Sequence, residues 1–96
     1  MSFIFFSRFY CPCDRNLDMC LTLLNNNIAK MVGITYFTNQ PQCIDAGPEK
    51  TGCKKWGRRK NQTRCYGYSF NTQANAQITW QLYDNYFYRH DPDVTF

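Results

Sequence analysis

Hydrophobic and polar positions follow two different periods along this chain. Leu17, Cys20, Leu21, Leu24, Ile28 and Met31 recur at three- and four-residue intervals, the spacing of one apolar helix face. Asp14 stands where an N-cap would and Gly33 where the pattern stops, so a helix is expected over 15–31. Asn25-Asn26-Asn27 are poor helix formers, and the helix frays or ends there unless packing supports it. Elsewhere the pattern is extended. The aromatic and β-branched run before Cys11-Pro12 predicts a strand over 3–10, and Ile34-Thr35-Tyr36-Phe37-Thr38 predicts a buried strand over 34–38.

Residues 39–63 carry Pro41, Gly47, Pro48, Gly52 and Gly57 without sustained periodicity, which reads as a long loop. The last third alternates again, giving strands over 64–70, 77–83 and 86–90. Ile78, Trp80 and Leu82 form the expected core face of the middle strand, and Asp84-Asn85 a two-residue hairpin turn. This order predicts a single α+β domain over 1–96, an antiparallel sheet with one helix packed on a face.

A chain of 96 residues buries only about 65% of its unfolded surface, so it needs help to hold together. Cys11, Cys13, Cys20, Cys43, Cys53 and Cys65 are an even number, the arithmetic of a disulfide framework in an oxidising compartment. Three bridges are expected, with Cys20 placed to pin the helix to the sheet and fifteen connectivities open. The spacing is poor for zinc, which favours two close ligand pairs, and no metal or other cofactor is implied. No apolar run is long enough to span a bilayer. Met1 to Tyr10 lacks the basic leader, apolar core and cleavage site of a signal peptide. The expectation is therefore a mature secreted form with a new start methionine, and a monomer. Asn61-Gln62-Thr63 is a glycosylation sequon that fits that route.

Charge is uneven. Residues 50–64 hold Lys50, Lys54, Lys55, Arg58, Arg59, Lys60 and Arg64 with no acid, while the rest of the chain sums to −3. With Trp56 among them and Cys53 and Cys65 as brackets, this is a candidate basic finger for phosphates, anionic lipid headgroups or an acidic protein. Tyr66, Tyr68, Phe70, Trp80, Tyr83, Tyr86, Phe87 and Tyr88 offer either a stacking platform for bases and sugars or filling for a thin core, and core filling is expected of at least half. Catalysis finds little support. His90 is the single histidine and sits with Asp91 and Asp93 beside Pro92 near the end of the chain, Glu49 is the single glutamate, and six paired cysteines leave no thiol nucleophile. The chain is expected not to be an enzyme.

Cys65-Tyr66, the stretch from Ala76 to Asn85, and Ile34 to Asn39 followed by Cys43 resemble the small secreted cysteine-rich proteins of fungi, effectors and killer-toxin-like proteins among them. The resemblance spans the last two-thirds of the chain and implies extracellular release and action on a host or competitor cell. A fainter similarity, through Phe9-Tyr10-Cys11 ahead of one helix and an antiparallel sheet, is to guanyl-specific fungal ribonucleases and the effectors derived from them. There His90 matches the late histidine, but no earlier histidine or glutamate does, which implies RNA binding rather than cleavage.

The leading expectation is thus a secreted effector, toxin or antimicrobial that binds a host or competitor-cell protein, or an anionic surface, through Lys54, Lys55, Trp56, Arg58, Arg59, Lys60 and Arg64. The alternative is a nucleic-acid-binding module, ribonuclease-like or zinc-stabilised, using the same segment on RNA.

Overall fold

A computed structural model describes residues 9–96. The expected α+β class holds, with two helices and two small sheets in the order β1 (Phe9–Tyr10), α1 (Cys11–Leu24), α2 (Asn27–Asn39), β2 (Gln42–Gly47), β3 (Lys50–Arg59), β4 (Gln62–Phe70), β5 (Thr79–Asp84) and β6 (Val94–Thr95). Most of the strand expected over 3–10 lies outside the described residues.

The helix expected over 15–31 is two helices. Pro12 sits in the first turn of α1, where its missing N–H costs nothing, and Asp14 lies inside that turn rather than at the cap. Asn25 closes α1 in the left-handed conformation, φ 45°, its N–H donating to Leu21 O. Asn26 then caps α2, its Oδ1 accepting from Ala29 N at 2.8 Å. The asparagine run is therefore punctuation between helices. The break also turns the presumed apolar face outward: Leu21 is buried and Leu17 packs beside the core, but Leu24, Ile28 and Met31 are exposed.

The strand expected over 34–38 is helical, and Gly33 does not end a helix. It sits inside α2 because a Cβ there would come within 2.5 Å of the Tyr88 ring. That ring packs on the bare helix backbone, joining Leu21, Ala29 and Phe37 in the core. Phe37 is fully buried. Packing of this one aromatic overrides the strand propensity of Ile34-Thr35-Tyr36.

The loop expected over 39–63 is largely strand. β2 runs parallel to β1 and antiparallel to β5, Cys43 opposite Phe9 and Tyr83. β3 and β4 form a long antiparallel hairpin, Arg59 opposite Gln62, with β6 paired on the far edge of β3. Its turn is Lys60-Asn61, with Lys60 at φ 54°. Register shifts at Lys50/Gly52 and between Cys53 and Trp56 break the alternation that would have marked β3 as a strand.

Residues 86–90 are not a strand, and Asp84-Asn85 is not a hairpin turn. Asn85 is buried, its N–H donating to Pro41 O, and the segment after it inserts Phe87 and Tyr88 inward. In β5 the expected core face is outward instead, with Ile78 before it and Trp80 within it each 65% exposed. Gln81 turns in to donate to Gly47 O and Pro48 O and to accept from Lys50 N.

Two bridges form rather than three. Cys11–Cys43 ties the start of α1 to β2, and Cys53–Cys65 crosses the β3–β4 hairpin. Cys13 and Cys20 are exposed free thiols, so Cys20 pins nothing. Oxidised protein should therefore take up two equivalents of iodoacetamide, and six after reduction and unfolding, by intact mass. Closing loops with sequence separations of 32 and 12 residues, the two bridges should contribute about 4 and about 3 kcal/mol. Cys11→Ala/Cys43→Ala should thus lower the denaturant midpoint more than Cys53→Ala/Cys65→Ala.

Candidate functional site

Two adjoining cavities lie where the first helix meets the sheets. The larger, about 310 Å³, is floored by the Cys11–Cys43 bridge and Cys65 and walled by Tyr66, Tyr68, Phe70, Tyr83 and Tyr86. Arg15 from α1, Asp45 from β2 and Asp84 at the end of β5 also reach it. The smaller, about 190 Å³, is lined by Asp18, Arg64, Asn85, Phe87, Arg89 and Phe96. Tyr66 and Tyr86 border both.

The polar groups of the larger cleft are held in place. Arg15 donates to Tyr86 Oη through Nη2 at 3.0 Å, a contact that raises its pKa and fixes its charge. Asp84 accepts from Cys65 N at 2.7 Å, and its own N–H donates to Tyr68 Oη at 2.8 Å. Tyr68 and Tyr83 meet edge to face with centroids 5.3 Å apart, and burial raises both phenol pKa values, so they stay protonated. Lys50 places its ammonium 4.9 Å from the Tyr83 centroid and 5.3 Å from that of Tyr68, and donates to Leu82 O.

Two carboxylates four residues apart share a face of α1, and their environments separate them. Asp14 is saturated: Tyr36 Oη donates to one oxygen at 2.7 Å and Asn85 Nδ2 to the other at 2.9 Å. Burial, then the bond to Asp14, drives the Tyr36 pKa up, so this is a structural tie between α1, α2 and the 85–88 segment. Asp18 is freer. Its Oδ1 accepts from Arg89 N at 3.1 Å, its Oδ2 lies 3.8 Å from Arg89 Nε, and it faces the smaller cavity at 6% exposure. Burial raises its pKa, partly offset by the Arg89 hydrogen bond and charge and by the field of His90. A folded pKa above the unfolded one means that this group's contribution to stability is complete below the unfolded value and is lost as pH rises through the folded one.

Arg64, expected as a binding residue, is instead buried at 3% exposure. Its guanidinium donates to Phe37 O at 2.8 Å, Thr38 O at 3.1 Å, Tyr86 O at 3.3 Å and Gln62 Oε1 at 2.6 Å, and stacks 4.2 Å over the Phe87 ring. Burial lowers its pKa to about 10, so it stays charged at neutral pH. Arg59 is also engaged, with Asp91 at 2.6 Å and Asp93 at 3.3 Å. That leaves Lys54, Lys55, Arg58 and Lys60 exposed along the β3–β4 hairpin with Trp56, which is 55% exposed. Asn61 is exposed at the turn. His90 is exposed, its ring 5.9 Å from that of Tyr88. Among the described residues no three of His, Cys, Asp and Glu gather at one point. No helix described is long and apolar enough to cross a membrane.

A protein-family model described as Phospholipase A2 matches residues 1–47, just under half of the chain. No curated protein and no solved structure matches it. The family match overturns the expectation that the chain is not an enzyme: it points to a lipolytic activity, and the matched stretch contains Asp14, Asp18, Arg15, Asp45 and the Cys11–Cys43 bridge. Arg15, Asp18 and Asp45 had no part in the sequence reading, which weighed catalysis only at His90, Asp91, Asp93 and Glu49. The available signal was two aspartates at i and i+4 on a predicted helix.

Arg64→Ala takes a donor from the carbonyls of Phe37, Thr38 and Tyr86, leaving Phe37 O with Gln40 N and Thr38 O with Gln62 Nε2, and Arg64→Lys keeps the charge without the planar fork. Both should lower stability, the alanine by about 2–4 kcal/mol in urea unfolding, whereas Arg58→Ala should change it by less than about 0.5 kcal/mol.

Proposed function

We propose that this is a secreted, disulfide-stapled lipolytic protein of toxin type, which hydrolyses phospholipid ester bonds at membrane surfaces it reaches through the basic hairpin. The carrying observation is the place of Asp18. It belongs to the segment matched by the Phospholipase A2 family model, lines a cavity walled by Phe87 and Phe96, and has a pKa raised by burial. Ester hydrolysis needs a base for water and positive charge for the oxyanion. In this reading Asp18 takes a proton from water as its oxygen attacks the ester carbonyl, and Arg89, on the same cavity, stabilises the tetrahedral oxyanion. Collapse returns the proton to the departing alkoxide, releasing fatty acid and lysophospholipid. Action on a host or competitor cell, which the resemblance to secreted effectors and killer-toxin-like proteins implies, fits such chemistry.

Oxidised protein should release fatty acid from vesicles of phosphatidylcholine containing phosphatidylglycerol, and no release above buffer from folded wild type would overturn the reading. Asp18→Asn keeps the acceptor for Arg89 N but removes the base, and should lower the rate at least about 100-fold. Because the base must be ionised, activity should rise with pH through a value above the ordinary aspartate range. Arg89, His90 and Tyr88 are the charged or titratable groups coupled to it, and Arg64, Tyr66 and Tyr86 line the same cavity.

A separate measurement tests the hairpin. A cation at an anionic surface contributes about 1 kcal/mol, so replacing Lys54, Lys55, Arg58 and Lys60 with glutamine should weaken vesicle association by about three orders of magnitude at low salt. Undiminished association would remove the hairpin from the proposal.

A further inference from the structure

We infer that the exposed side of α1 docks a second copy of this chain, the two helices lying parallel and closed by Cys13–Cys13 and Cys20–Cys20 bridges between the copies. The inference is independent of the lipolytic reading, and it replaces the monomer expected from the sequence.

Cys11, Cys43, Cys53 and Cys65 close bridges within the chain, and Cys13 and Cys20 are left over, both exposed. Thiols left over in a protein that otherwise pairs its cysteines point to pairing between chains. These two do not stand alone. Cys13, Leu17, Cys20 and Leu24 follow one another at intervals of four, three and four residues, the heptad spacing of a helix seam. Leu17 is half-buried at the edge of the core, and Leu24 is 64% exposed at the end of α1. Met19 and Leu23 are exposed on the same helix, as are Ile28, Met31 and Val32 on α2. Charge avoids the seam. Asp14 and Asp18 are buried, and Arg15, the exposed ion of α1, lies roughly 200° around the helix from Cys13, tied to Tyr86. An uncharged strip flanked by large apolar side chains gains from leaving water only against a surface that is itself uncharged. The same strip on a second copy is such a surface.

The seam also sets the partner's direction. In a parallel pair each seam residue meets its own counterpart, so thiol faces thiol and leucine faces leucine. An antiparallel pair with Cys13 opposite Cys20 puts its two-fold axis between Asn16 and Leu17. Leu17 then faces Asn16, and Leu24 has no helical residue opposite, because α1 begins at Cys11. The parallel contact is isologous and closes at two copies. Its seam is short for packing alone, since stable interfaces bury about 1,200 Å² or more, and covalent closure makes up the difference. Each bridge forms by exchange with a low-molecular-weight disulfide such as oxidised glutathione. One thiolate attacks it and releases one glutathione, and the partner's thiolate opens the resulting mixed disulfide and releases the second. Two protein thiols are oxidised, one glutathione disulfide is reduced, and the two protons end on the two glutathione thiols.

The 96-residue chain, its two internal bridges closed, should turn on incubation with oxidised glutathione from a monomer that takes up two equivalents of iodoacetamide into a covalent dimer that takes up none. Non-reducing peptide maps should join Cys13 to Cys13 and Cys20 to Cys20. Cys13→Ser and Cys20→Ser should each still dimerise through the remaining thiol, which an antiparallel Cys13–Cys20 pairing forbids. Leu24→Glu, checked for a native amide spectrum, should slow dimer formation at least about tenfold, because it sets two carboxylates against each other in the seam. A chain that ends as glutathionylated monomer, as mixed higher oligomers or as a Cys13–Cys20 dimer would overturn the proposal. So would a Leu24→Glu rate equal to that of wild type, the mark of random collision between exposed thiols. Vesicles of phosphatidylcholine and phosphatidylglycerol that shield both thiols of the monomer from maleimide and suppress the dimer would assign this face to lipid instead.

Discussion

A guanidinium with no carboxylate partner among the described residues is buried where the helices meet the hairpin. Arg64 projects from β4 into the space between the end of α2 and the segment after β5, and offers its N–H groups to the carbonyls of Phe37, Thr38 and Tyr86. Phe37 O and Thr38 O lie in the last turn of α2, where the helix ladder runs out and Gln40 N reaches Phe37 O at 3.4 Å, and an unsatisfied buried acceptor costs about 1–3 kcal/mol. One planar fork meets all three because its donors diverge at fixed angles. The Phe87 ring beneath it offsets part of the desolvation of the charge. Helices, hairpin and C-terminal segment are thereby fixed to one another around a residue that the charge count alone would place at the surface.

The Cys11–Cys43 bridge and the Asp14–Tyr36–Asn85 network extend that arrangement toward the cavities. The covalent tie holds the first turn of α1 against β2, and the network holds its next turn against α2 and Asn85. Between them Arg15 is fixed over the larger cleft and Asp18 over the smaller. The basic hairpin is built separately: Cys53–Cys65 braces it, and Arg59 is committed to Asp91 and Asp93. The remaining cations and Trp56 face solvent.

How much of this the sequence reveals depends on whether local pattern or distant packing decides each element. The class was legible, as were α1, the C-terminal part of the hairpin and β5, and the asparagine run did mark a helix boundary. The second helix was not, because its strand-like residues and internal glycine take their meaning from Tyr88, some fifty residues away in sequence. β3 was hidden by glycines and bulges, which erase period-two alternation while leaving the ladder intact. At the site, the basic cluster was visible as composition, but which cations are free depended on burial, and Arg64 and Arg59 turned out to be structural. Asp18 carries no local mark beyond its spacing from Asp14, since burial is what sets it apart.

Even parity of cysteines did not mean complete pairing. Cys13 and Cys20 sit seven residues apart on α1, on one side of the helix and about 10.5 Å apart along its axis. They give the natural chain two ready attachment points for a spin-label or fluorophore pair, reporting on the helix that carries Asp14, Arg15 and Asp18 without any change of sequence. The same thiols narrow the choice of buffer, because a reductant strong enough to keep them from coupling between molecules also threatens the two staples on which the fold relies.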